Sequence, residues 1–314
     1  MKCKVCKRPA VINLRAQNRG LCASCFDAYV LDRVEKTIRR FDMFKRKERV
    51  LVAVSGGKDS LALWDILNRL GYDTTGLFVD VGIQEKSYSR RSLEVVKAFA
   101  AERGLSLIVE SLKTWWGKGI EEIGRKVLCP TCGMAKRYII NRVAVDAGFD
   151  VLCTGHNLDD EVATLFSNVL NWQVGYLARQ APLLESWHPR LSRKAKPLVL
   201  LTEKETALYV VLREISHMKD SCPHARGATS LFYKRLLNQA EWRSPGTKQR
   251  FYTLFLKHKH LFQGALQQER GALGECERCG QPTWERICAF CRMVEGSHGD
   301  SGRKVPEGDQ VSKG

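Results

Sequence analysis

Between Val50 and Leu170 the apolar positions alternate between two periods. Short apolar runs at 50–54, 75–81, 105–111 and 150–154 are separated by the stretches 59–70, 89–103 and 131–147, and a fourth stretch, 158–170, follows; in these longer stretches apolar residues recur at helical spacing. Gly71, Gly104 and Gly148 stand just past the first three helical stretches, where a left-handed C-cap is favoured. Strands alternating with helices predict parallel βαβ units, hence an α/β fold with a parallel sheet and helices on both faces. The segments 82–88 and 112–130 are expected to be loops. Ligands of such sheets sit at the C-terminal strand ends. The residues after 50–54, 75–81 and 150–154 should therefore converge on one crevice.

On the N-terminal side, Tyr29, Val30, Val34, Ile38 and Phe41 predict a helix over 28–47, with Arg33, Lys36, Arg39 and Arg40 on its other face. Residues 171–200 read as irregular, with three prolines, and 202–262 as helical. From Gly296 the chain is polar and Gly-rich, which predicts a disordered tail. The resulting division is 1–27, 28–48, 49–200, 201–270, 271–295 and 296–314.

The first strand runs directly into Ser55-Gly56-Gly57-Lys58-Asp59-Ser60 and then a helix. Glycines let the backbone approach a ligand, and a helix N-terminus offers unpaired N–H groups. Lys58 and the hydroxyls of Ser55 and Ser60 add donors, so the segment is an anion cradle suited to phosphate or pyrophosphate. It lacks the Walker A spacing and resembles the PP-loop of ATP pyrophosphatases, enzymes that adenylate a carbonyl and release pyrophosphate. The bland alternative is an ordinary strand–helix turn, in which Asp59 merely favours the helix start.

Ten of the twelve cysteines fall in five Cys-x-x-Cys pairs, and Cys153 and Cys222 stand alone. No apolar stretch approaches the roughly 20 residues needed to span a bilayer, and the N-terminus has no signal-peptide core, so a cytoplasmic location is expected. In that setting cysteine pairs point to metals or redox chemistry. Cys3, Cys6, Cys22 and Cys25 have the spacing of a four-cysteine zinc site, and so do Cys276, Cys279, Cys288 and Cys291; iron and redox disulfides are the alternative readings. Cys129-Pro130-Thr131-Cys132 has no second pair nearby. A dithiol, a third zinc completed by His156 or His224, and a three-cysteine [4Fe–4S] site with Cys222 all fit its spacing. Cys153, ending an apolar strand, reads as a core residue.

The net charge of +17 is uneven: +9 over residues 1–50, zero over 51–180, +7 over 181–250 and +1 over 251–314. A basic surplus flanking a neutral nucleotide-binding segment suits a polyanion docking surface; simple solubility is the alternative.

Together these motifs resemble the TtuA family of tRNA 2-thiouridine synthetases and their Ncs/Ctu relatives. The resemblance is carried by the N-terminal cysteines, SGGKDSLALW at 55–64, CPTCGMAKRYIIN at 129–141, TGHNLDDE at 154–161, RKAKPL at 193–198, the Cys222 segment with SLFYKRLLN at 230–238, PGTK at 245–248 and ECERCG…CAFCRM at 275–293. It implies a PP-loop ATP pyrophosphatase fold (adenine nucleotide alpha hydrolase-like) flanked by zinc modules at both ends. It implies an enzyme that uses ATP, with Mg²⁺, to adenylate O2 of a tRNA uridine and then replaces that oxygen with sulfur. The implied cofactors are two Zn²⁺ and a [4Fe–4S] cluster on Cys129, Cys132 and Cys222, whose fourth iron would bind the sulfide. The implied partners are tRNA, contacted along with the cluster by 201–270, a ubiquitin-like carrier with a C-terminal thiocarboxylate, and a second copy in a homodimer. Lys136 and Asp160 match catalytic positions, with Asp159 and Glu161 competing for the carboxylate role. ATP would meet Ser55 to Ser60, and its adenosine would meet backbone at Ala53, Val79 and Gly155. Some family members carry His where this chain has Cys25, which should still bind zinc. The T-loop uridine at tRNA position 54 is the expected target. The alternatives are the wobble uridine, the 2-thiocytidine branch acting at position 32, and a cluster-free enzyme using persulfide on Cys132 and Cys222. A non-catalytic zinc RNA-binding protein is the reading from a different class.

Overall fold

The computed structural model describes residues 1–123, 128–225, 229–264 and 274–295; the tail expected from Gly296 lies outside the described residues. A hairpin of β1 (Ile12–Leu14) and β2 (Arg19–Leu21) opens the chain and leads into α1 (Ala23–Arg40). The alternating region then gives β3 (Arg49–Val54), α2 (Lys58–Arg69), β4 (Asp73–Asp80), α3 (Tyr88–Arg103), β5 (Ser106–Ser111), α4 (Leu112–Trp116), α5 (Leu128–Asp146), β6 (Val151–Thr154) and α6 (Leu158–Leu170). Next come α7 (Val174–Arg179), β7 (Leu183–Leu184), β8 (Arg193–Ala195), α8 (Glu203–Leu212), α9 (Thr229–Arg243) and α10 (Thr247–His258). A short hairpin, β9 (Gly274–Glu275) with β10 (Pro282–Thr283), and α11 (Ala289–Glu295) end the described chain.

The central sheet has the order β5-β4-β3-β6-β8-β7, parallel except for β7 against β8. Strand β3 lies between β4 and β6, Val50 facing Thr74 on one side and Val151 on the other. Its continuous apolar run follows from cover on both faces. Val50, Val52 and Val54 join one core with α1, α2, α3 and α6, whereas Leu51 joins a second core with α5 and the C-terminal module.

Three expectations change. The helix over 28–47 stops at Arg40: Asp42 takes a left-handed φ of 44°, Met43 N donates back to Ile38 O at 3.0 Å, and Met43 and Phe44 turn into the core. The stretch 171–200 is only partly irregular, since it holds α7 and two further sheet strands too short to show a period. The segment 112–130 contains α4, and α5 begins at Leu128, so Cys129 lies on its first turn.

Candidate nucleotide and thiol site

Chain order around β3 and β6 reverses direction, so the crevice of the sheet opens between their C-terminal ends. Both ends are loaded. After β3, Gly56 turns the chain at φ +78°, and a Cβ there would come within 3.0 Å of Ser92 O. Gly57 is the N-cap of α2 and supplies no side-chain cap, so the helix start presents backbone donors. Ser60 Oγ donates to Gly57 O at 2.9 Å and accepts from Ser55 N at 3.2 Å, bracing the loop from within. After β6, Gly155 lies against that same helix start: a Cβ would come within 2.8 Å of Ser60 N. Only glycine permits this contact, and it brings the two loops together.

Charged side chains tie the loops to later helices. Lys58 Nζ donates to Asp59 at 3.0 Å and to Glu203 at 2.8 Å. Lys234 Nζ, from α9, bridges Glu203 at 3.1 Å and Asp160 at 2.6 Å. Burial opposes the charge on Lys58, but Asp59 and Glu203 outweigh it and raise its pKa. Burial would likewise raise Glu203, yet Lys58 and Lys234 hold it below the ordinary carboxylate value. Asp59 also accepts from Asn157 Nδ2 at 3.1 Å and from Thr206 Oγ1 at 2.5 Å.

The three acids of TGHNLDDE separate cleanly. Asp160 stands at the third position of α6 and completes a capping box with Asn157, while its other oxygen meets Lys234 at the crevice. Asp159 is buried, paired with Lys248 and accepting from Glu203 N at 2.8 Å. Glu161 is buried against Lys196 at 2.8 Å. Of the three, Asp160 alone keeps appreciable exposure, with its side chain 28% accessible.

Ala53, Ser55, Val79 and Lys136 line one small cavity of about 110 Å³ under the phosphate loop. Lys136 is one turn beyond Cys132 on α5, so the helix carries cysteines and cation toward the same place. Cys129 is exposed and its thiol donates to His224 O at 2.9 Å, which sets it beside the segment holding Cys222. Burial pushes the Cys132 thiol up; Lys136 pulls it down, and Cys222 and Cys129 push it up again, so the three sulfurs and the lysine share one electrostatic environment. All three thiols are free, and Cys132 and Cys222 are half-buried. They do not form a group compact enough for one metal ion, unlike the terminal cysteines. Three free thiols from α5 and the Cys222 segment are the donor type that iron–sulfur clusters use. His224 is committed to Glu121 at 2.7 Å and His156 to Thr154 at 2.8 Å. Cys153 is fully buried in the core.

The terminal groups are built differently. The four sulfurs of Cys3, Cys6, Cys22 and Cys25 lie within 4.8 Å of one another, as do those of Cys276, Cys279, Cys288 and Cys291. Individual separations are 3.4, 3.6 and 3.7 Å, near the ~3.8 Å edge of a tetrahedron with Zn–S bonds of about 2.3 Å. Backbone N–H groups of Cys288 and Cys291 point at sulfurs, at 3.2 and 3.4 Å, as thiolates require. The second module seats on α5: Phe290 stacks on Tyr138 with centroids 3.9 Å apart, and Asn141 Nδ2 donates to Gln281 at 3.0 Å.

Glu203, Lys234, Thr206 and Lys248 were not among the expected site residues. Thr202-x-x-Glu205 is a capping-box pattern that marks the start of α8 and thus the place of Glu203. Nothing local in the sequence joins Glu203 to Lys58, 145 positions away.

A strand–glycine loop–helix cradle at the switch point of a parallel sheet, with a second loop closing on it, defines a PP-loop nucleotide-binding protein. The PP-loop domain model matches residues 30–225, and the model described as "2-thiouridine synthetase TtuA, N-terminal LIM domain" matches residues 2–27. The chain belongs to the TtuA family of tRNA 2-thiouridine synthetases. It is 50% identical to the tRNA-5-methyluridine(54) 2-sulfurtransferase of Thermus thermophilus, over 93% of this chain and 91% of that one. The enzyme of the same name from Pyrococcus horikoshii is 40% identical, covering 93% of each chain. Among solved structures, the U34-tRNA thiolase NcsA from Methanococcus maripaludis with its [4Fe-4S] cluster superposes with a TM-score of 0.80 at 26% identity, over 94% of this chain and 96% of that one.

Proposed function

We propose that this chain is an ATP-dependent tRNA sulfurtransferase that converts a uridine, at position 54 in the T-loop, to its 2-thio form. The observation that carries the reading is the meeting, in one cavity, of Ala53 and Ser55 at the start of the phosphate loop with Lys136, one helical turn beyond Cys132 on α5. The name borne by relatives at 50% and 40% identity supports the substrate and the position.

A pyrimidine carbonyl is a poor electrophile. In the proposed reaction O2 attacks the α-phosphorus of ATP, the α–β bridge breaks, and pyrophosphate leaves. AMP later leaves with that oxygen when sulfur takes its place on C2. The Ser55–Ser60 loop, with backbone N–H groups and Lys58, holds the phosphates, a task of fixed donors facing developing charge. Mg²⁺ would accompany the nucleotide, and Ala53, Val79 and Gly155 would flank its adenosine. Lys136 faces the same cavity, where its charge steadies the activated pyrimidine; Asp160, held by the cap and by Lys234, orients the base. Cys129, Cys132 and Cys222 would hold a [4Fe–4S] cluster. When bound, such a cluster would supply the sulfur-delivery chemistry, since three thiolates would leave one iron without a protein ligand. Two Zn²⁺ would close the terminal cysteine groups as structural ions. A thiocarboxylated ubiquitin-like carrier as sulfur source, a homodimer and a cytoplasmic location complete the proposal. No helix among the described residues is long and apolar enough to cross a membrane.

The test is nucleoside mass spectrometry of tRNA treated anaerobically with the iron-loaded protein, ATP and sulfide, with RNase fragments mapped. Sulfur for oxygen in the T-loop fragment is expected. A thiolated wobble fragment instead would transfer the reading to the wobble-uridine branch, and absence of any thionucleoside would refute it.

A further inference from the structure

A second cavity, of about 540 Å³, lies outside the small cavity of the phosphate site. It separates the turn after β1 from α8 and the α9–α10 junction, and Lys58 and Asp159 form part of its wall. The N-terminal module closes one side, with Ala16 Cβ 3.6 Å from the position a Cβ would take on Gly246. Trp242, 74% exposed, lines it, and Arg15 lies over the Trp242 ring at 4.5 Å from the centroid.

The charges around this opening are asymmetric. The acids lining it are engaged within the fold: Asp159 with Lys248, Glu203 with Lys58 and Lys234, Glu205 in the α8 cap and with Tyr29, and Glu241 accepting from Gly246 N and Lys248 N. Arg15, Lys204, Arg243 and Arg250 are exposed and have no carboxylate partner among the described residues. Among the described residues Arg250 donates to Pro245 O, Ser244 and Thr247. An exposed indole under a guanidinium, with Arg15 and Lys204 lining the same cavity, Arg243 next to Trp242 in the chain and Arg250 held against the lining residue Pro245, matches an unpaired nucleobase with its phosphates, because bases stack on aromatic faces and phosphates seek Arg and Lys.

We infer that this cavity is a docking site for an unpaired loop segment of the tRNA substrate, with one base stacked on Trp242 and the flanking phosphates on Arg15, Arg243 and Arg250. The inference rests on tRNA being the substrate. It adds a docking point formed jointly by the N-terminal module and α9, adjoining the wall that holds Lys58, and so gives the module a part in placing RNA.

The experiment compares full-length wild-type protein with Trp242→Ala, Trp242→Phe and Arg15→Ala. It measures affinity for a tRNA transcript and for a fully paired RNA duplex at one salt concentration, ATP affinity, and mass in solution. Trp242→Ala should weaken tRNA binding about 5- to 150-fold, the range of one lost base stack. Trp242→Phe should recover most of it, and Arg15→Ala should weaken it by a smaller factor. Duplex binding, ATP affinity and mass should stay unchanged. Equal tRNA affinity in wild type and Trp242→Ala would overturn the inference, as would equal losses for tRNA and duplex. A fall in oligomeric mass with tRNA affinity intact would mean that a second copy covers this face, and would also overturn it. Wild-type protein that binds no tRNA would instead overturn the function proposed above.

Discussion

Lys58 is already occupied by two carboxylates, Asp59 and Glu203, so in the proposed reaction it would act as a held charge rather than a free one. Its replacement removes a phosphate donor and leaves the proposed RNA contacts, Trp242, Arg15, Arg243 and Arg250, in place. Lys58→Ala should lower tRNA-dependent pyrophosphate release at least ~100-fold, the scale of a lost electrostatic donor, with tRNA affinity within about twofold of wild type by filter binding. A large loss of tRNA affinity would contradict the separation of roles. Asp160 serves two structures with two oxygens. Asp160→Ala should cost about 1–2 kcal/mol in urea unfolding through the lost cap and should abolish thiolation. Full activity would leave only the cap, the bland reading of a helix-start acid.

At the scale of elements, the C-terminal module acts on the site through α5. Phe290 is buried and stacks on Tyr138, two residues beyond Lys136. Phe290→Ala should cost about 3–5 kcal/mol at that contact. Hydrogen exchange should speed up along α5 while α2 stays protected; unchanged exchange in α5 would mean that the module does not brace it. Much of this level was legible from the chain. Strands β3, β4 and β6 showed as apolar runs because both sheet faces are covered, α2 began at the glycine loop, and α6 covers the expected helical stretch from Leu158. Strands β7 and β8 did not show, because runs of two and three residues carry no period. The ion pairs of Lys58, Glu203, Lys234 and Asp160 did not show either, since they form only when α8 and α9 fold over the crevice.

For the whole molecule, two dependences follow from charge. The flanking basic surplus predicts tRNA binding that falls at least ~10-fold between 50 and 200 mM salt as counterions are released; a flat response would refute a phosphate-contacting surface. Stability should depend on acid in a defined direction. Arg69 holds Asp27 below its ordinary 3.8, and Glu203, despite burial, is held below 4.5 by Lys58 and Lys234. A carboxylate lowered in the folded state adds stability above its unfolded pKa and loses it as pH falls through the folded value. The urea midpoint should therefore stay level from pH 7 to about 5 as far as these two groups govern it, then drop on further acidification. Glu203→Gln should make that acid-side drop shallower; an unchanged slope would remove Glu203 from the account.

The central claim is that the phosphate loop uses ATP to activate a tRNA uridine for sulfur in the same crevice. Its most direct measurement counts pyrophosphate and 2-thiouridine together in one anaerobic reaction of the iron-loaded protein with tRNA, ATP and sulfide. The account predicts one pyrophosphate for each thiolated uridine, with both products lost in Lys58→Ala. Thiolation without pyrophosphate, or pyrophosphate released at the same rate without tRNA, would contradict it.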